Sequence, residues 1–127
     1  MADGTAELRQ FAIALERIVD GAYEQVDAVV TRGAVNVKRE MIADVSSSPH
    51  FKGMAGAITY EHKNTRNLIR REIGPDKGRP GGALGNIYYF GTSRGGGSGD
   101  IEKPLRTEEP RYVSAMQALV DRWAGQL

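Results

Sequence analysis

An apolar stripe of helical period constrains this chain more than any other feature. Leu8, Phe11, Ala12, Leu15, Ile18 and Val19 recur at the i, i+3, i+4, i+7 spacing that gathers side chains on one face of an α-helix. Thr5 stands where an N-cap belongs. Asp20-Gly21 interrupts the pattern, because a mid-helix glycine costs about 1 kcal/mol relative to alanine and is favoured just past a helix end. A second helix is therefore expected to begin there. Val26, Val30, Val37, Met41 and Val45 carry the stripe onward across a gap at Gly33-Ala34, where small residues can admit a close neighbour or bend the helix. Ser46-Ser47-Ser48-Pro49 ends the helical region, since serine favours local turns and proline disfavours helix in the residue before it.

Past Gly53 the period changes to two, with Ile58 and Tyr60 pointing inward. Lys63 to Asn67 has turn composition, and Ile69, Arg71 and Ile73 then fall on one side, so the two runs form an antiparallel hairpin. A lone hairpin is marginal in water. A further strand is expected from Asp100 to Leu105 or from a neighbouring subunit. Gly74 to Gly82 is a loop, and Arg94 to Asp100, rich in glycine, is expected to stay disordered until a partner orders it. Between them Ile87, Tyr88, Tyr89 and Phe90 must be buried against something. Pro110, as a first helical residue, opens a C-terminal helix with Tyr112, Val113, Met116, Leu119, Val120 and Trp123 on one stripe. The fold class is α+β: two N-terminal helices, an antiparallel hairpin in a small sheet, and a C-terminal helix packed on the sheet. Residues 1–127 form one domain, with flexible loops at about 75–82 and 94–100.

Charge names no partner, because 17 Lys+Arg against 16 Asp+Glu leave a net of +1. Without cysteine, and with only His50 and His62, the chain offers neither thiolate chemistry nor a structural zinc site. No uncharged apolar stretch is long enough to span a bilayer, and the N-terminus lacks a signal pattern, so cytosolic synthesis and no membrane role are expected. Neither glycine-rich run has phosphate-loop spacing. Glu61 and Glu72 can face one another across the hairpin, but Lys63, Arg70 and Arg71 would hold them ionised as exposed ion pairs. The run Lys63, Arg66, Arg70, Arg71, Lys77 and Arg79 is broken by acidic residues and reads as a solvated face, with duplex contact the minority reading. Tyr88-Tyr89-Phe90 fits a core plug or a subunit contact better than a ligand pocket. No nucleophile, base or cofactor site assembles from these residues, so the chain is expected to be a structural subunit without a cofactor, not an enzyme.

Lys52-Gly53-Met54-Ala55-Gly56-Ala57-Ile58, Ile73-Gly74-Pro75 and Tyr89-Phe90-Gly91-Thr92 follow one another in an order that resembles a known family. It is the neck, or tail-completion, proteins of long-tailed bacteriophages, the "tenth gene product" tail-component family first defined in a lambda-like coliphage. Members run from a helical region through a TG-x-L-x-x-S-I-like strand entry to a tyrosine-rich segment ending in E-F-G-T, then a proline-containing stretch and a C-terminal helix. Here lysine replaces the threonine before Gly53, tyrosine the glutamate before Phe90, and Glu109-Pro110-Arg111-Tyr112 is only loosely similar to the family's P-F-L-R-P. The resemblance implies a non-catalytic virion protein of the neck or tail, made in the host cytoplasm and assembled into a ring, a hexamer in the family's common form. Connector or stopper proteins would lie on its head side, the tail terminator or tail tube on its tail side. Double-stranded DNA would pass through the lumen without sequence recognition. Tyr88, Tyr89, Phe90, Arg94, Gly96 and Asp100 are the expected subunit interface. A tail terminator capping the tube, or a small nucleic-acid-binding module, is the alternative.

Overall fold

The computed structural model describes residues 4–127. Its first element is one continuous helix, α1 (Thr5–Ser46), not two. Gly21 stays inside it because one glycine subtracts only about 1 kcal/mol from a helix whose flanking turns keep their backbone ladder. Gly4, with φ 77°, takes the N-cap position expected of Thr5. Ser46 is the last helical residue, as the serine run requires. A 3-10 segment (Lys52–Ala57) then leads into β1 (Ile58–His62), which pairs antiparallel with β2 (Arg71–Pro75). α2 (Leu84–Phe90) and α3 (Lys103–Gly125) complete the chain.

The architecture is α+β, with α3 lying along α1 and reaching the strands. The described residues hold only these two strands. The third strand expected from Asp100 to Leu105 is instead a turn and the start of α3, and the hairpin gains its support from α1, against which both strands pack. Asp100 shapes that turn: its carboxylate accepts the Glu102 N–H at 3.0 Å, its carbonyl accepts the Lys103 N–H at 3.3 Å, and Arg106 pairs with it from the first turn of the helix. Pro104 occupies the opening position that had been expected of Pro110, which lies inside α3.

The core is Val37, Met41 and Val45 of α1 with Met54, Ile58 and Tyr88, flanked by Phe51, Ile73 and Leu84. Three of these are the later members of the helical stripe. Register places Tyr60 opposite Ile73 and Glu61 opposite Glu72, the carboxylate pair expected across the hairpin. Lys63 contacts Glu61 at 3.2 Å and Arg70 contacts Glu72 at 3.7 Å, all four exposed.

A polar knot fixes the far end of the hairpin to α1. The Arg71 side chain, 1% exposed, donates to Asp27 at 2.5 Å, to Thr31 at 3.0 Å and to Asn64 at 2.7 Å. Asn64 in turn donates to the Tyr23 hydroxyl at 2.9 Å and to Asp27 at 3.2 Å.

Candidate subunit interface

The residues expected at an interface divide into two groups. Tyr88 is buried, its ring 5.1 Å from that of Phe51 and 4.9 Å from that of Tyr89. Tyr89 is half-buried, and burial, followed by the neighbouring Tyr88 and Asp44, pushes its hydroxyl up to about 12. Asp100 is taken up at the start of α3, where the Arg106 guanidinium holds its carboxyl below the usual range. Phe90, by contrast, is 66% exposed, and Arg94 and Gly96 are exposed beside it.

The glycine segment has contacts inside the chain. Gly91 closes α2 with φ 80° and ψ -162°, a backbone conformation essentially confined to glycine, and donates to the Ile87 carbonyl at 2.9 Å, which accounts for the glycine between Phe90 and Thr92. Thr92 and Gly95 exchange backbone hydrogen bonds of 2.9 and 3.2 Å, and the N–H groups of Ser98 and Gly99 both reach the Tyr88 carbonyl at 2.8 Å. Gly97 lies against the Tyr89 carbonyl and Gly99 against the Tyr88 ring so closely that neither leaves room for a Cβ. The turn therefore presents Phe90 and Arg94 outward from a base tied to the core.

Two larger features were not expected. The first is an unsupported length of α1. Along the helix pair, Lys103 meets Asp44 at 2.7 Å, Glu108 accepts from Asn36 at 2.9 Å, and Trp123 donates to Gln25 at 2.5 Å, so α3 runs antiparallel to α1 and ends near Gln25. The α1 residues before it, from Thr5, project about 30 Å further at roughly 1.5 Å per residue. On this arm Leu8 is 70% exposed, Val19 68%, and Phe11 and Leu15 are exposed as well. The stripe was plain in the sequence; what periodicity cannot say is that α3 stops short of it.

The second is a cleft of about 420 Å³ between α1, β2 and α3, with Val30, Ala34 and Val37 from α1, Ile73 from β2 and Leu105 from α3. Arg71 lines it too, and its buried Nε finds no acceptor among the described residues. Arg70 and Glu109 also line the cleft, one from the hairpin and one from α3. The close approach that shapes this region is Gly33 against Tyr112: a Cβ on Gly33 would stand 3.1 Å from the ring.

Among the described residues no helix is long and apolar enough to cross a membrane, and no three His, Asp or Glu side chains are grouped to hold a metal ion. His50 and His62 are both exposed. Comparison with protein-family models, with curated proteins and with solved structures finds no match to this chain.

Proposed function

We propose that this chain is a structural virion protein, a subunit of a ring at the head-to-tail interface that completes the tail and joins it to the capsid connector around the DNA channel. The observation that carries the proposal is the projecting arm of α1: a helix exposing Leu8, Phe11, Leu15 and Val19 suits a molecule that works among neighbours. The outward-facing Phe90 and Arg94 on their glycine turn offer a second contact of the same kind. The order of motifs from Gly53 to Thr92 supplies the particular setting, a phage neck. Connector or stopper proteins would bind one side of the ring and the tail terminator or tube the other, with self-association closing it, sixfold in the proposed form.

The test is compositional and genetic. Purified virions should contain the chain in a few copies each, detected by mass spectrometry of intact particles. A nonsense mutation in its gene should yield DNA-filled heads and finished tails that fail to join. Virions lacking the chain would remove both the neck reading and the tail-terminator alternative. Exposed Lys63, Arg66 and Arg70 near the hairpin tip favour the nucleic-acid alternative. It requires free duplex binding that weakens steeply with salt, whereas the neck subunit should bind free DNA weakly.

A further inference from the structure

The hydrophobic core is complete without α3: its members, and the apolar side chains packed around them, all precede Phe90. The hairpin is fastened without it too, since Arg71 and Asn64 tie it to Tyr23, Asp27 and Thr31 of α1. α3 itself is held unevenly. Near its start Pro104 is fully buried, Lys103 pairs with Asp44, and the buried Glu108 accepts from Asn36. Pro110 then withholds the N–H that the Arg106 carbonyl would accept, and a proline inside a helix is where bending concentrates. Beyond Pro110, Leu119 is the one buried side chain of α3, while Val113 is 56% and Val120 50% exposed. Open grooves of about 420 and 550 Å³, both lined by Gly33 and Tyr112, flank the contact between those two residues. Empty space on both sides deprives that contact of the dispersion attraction a filled interface would supply.

We propose that α3 beyond Pro110, residues 111–125, is a flap hinged at that proline, which opens from α1 while the core, the hairpin and the first turns of α3 stay folded. Closed, the flap lies over α1 between its contacts at Gln25 and Gly33, a stretch in which Val26 and Val29 are half-buried. At roughly 100° per residue, Val26, Val29 and Gly33 fall in the same sector, about 80° wide, as Leu8, Phe11, Leu15 and Val19. The flap therefore covers the continuation of the very face that the arm exposes. Opening it joins the two into one apolar stripe from Leu8 to Gly33, about 38 Å long at 1.5 Å per residue. α1 keeps its shape in the open state because the hairpin holds it from Tyr23 onward. The flap is a switch that sets how much of the α1 stripe is presented, and it does not depend on the ring reading.

The chain's single tryptophan, Trp123, lies in the flap and reports on it directly. In native-state hydrogen exchange of the wild-type chain, the amides from Val113 to Leu119 should share one protection factor, at least about tenfold below that of Met41 and Val45. The Glu108 amide, on the near side of the hinge, should stay more protected than the flap. Leu119→Asp places a charge where the flap is buried and should hold it open. Trp123 emission should then shift to longer wavelength while the Met41 and Val45 amides remain protected. In the wild type, exchange of Val113 to Leu119 at the core's rate, exchange of Glu108 at the flap's rate, or a smooth gradient of protection from Gly125 inward past Pro110 overturns the inference. In Leu119→Asp, loss of Met41 and Val45 protection, or Trp123 emission that does not move, overturns it as well.

Discussion

Arg71 shows how one side chain ties distant parts of this chain together. Its guanidinium is buried against Asp27 and Thr31 of α1, so removing the anion leaves a cation out of water without its partner. Asp27→Asn should therefore cost about 3 kcal/mol in denaturant unfolding. Hydrogen bonds from Arg71 and then Asn64 hold the Asp27 carboxyl below its ordinary 3.8. A depressed folded value means that this contribution is present above the unfolded value and is lost as pH falls through the folded one. Acid titration of wild-type stability should show that loss, and Asp27→Asn should flatten it. Tyr89 acts at the other extreme. Its raised value near 12 means that its contribution holds below the unfolded value near 10 and fades as pH rises toward 12, which tyrosinate absorbance would follow. Gly21 gives a simple contrast: it is helical, and an added Cβ would meet only the Gln25 side chain at 3.4 Å. Gly21→Ala should raise stability by roughly 0.5 to 1 kcal/mol. Spacing sets Arg71 on one side of its strand with Ile69 and Ile73, and the basic run that includes it was expected to form a solvated face; the structure instead buries Arg71, on partners 44 and 40 residues away that no local pattern announces.

At the scale of elements, period and punctuation were legible where their causes are local. The stripe of α1, its serine-proline end, the hairpin and its Glu61–Glu72 opposition all follow from residues close in sequence. Gly33-Ala34 was read as a site of close approach, and Tyr112 of α3 is the neighbour that approaches. Gly33→Leu should therefore force α3 away and lower stability by about 1 to 3 kcal/mol. The errors came from treating a residue's preference as decisive. Glycine and proline lower helix stability by finite amounts, which the flanking backbone ladder outweighs at Gly21 and the packing of α3 on α1 outweighs at Pro110: Gly21 did not split α1, and Pro110 did not start α3. Because Pro110 has no N–H to offer the carbonyl four residues back, Pro110→Ala should stabilise the chain by roughly 1 to 3 kcal/mol in thermal melts. Aromatic clustering told only that Ile87 to Phe90 needed cover. That a short helix turns Tyr88 inward and Phe90 outward depends on the Gly91 cap.

The whole molecule divides its apolar surface unevenly. The core collects at the C-terminal half of α1, while Leu8, Phe11, Leu15 and Val19 stand exposed along the other half. No count of hydrophobic residues could have revealed this division, since it depends on where α3 ends. One helix therefore passes through two environments without a joint between them. In the isolated chain, amides near Val37 and Val45 should exchange with solvent deuterium only on global unfolding, whereas those before Gly21 should exchange by local fraying. The slowest and fastest protons of the same hydrogen-bond ladder would then differ by orders of magnitude, with the step falling near Gln25. α1 thus carries a built-in gauge of its own occupancy: any body that covers the arm must move that step toward Thr5, residue by residue.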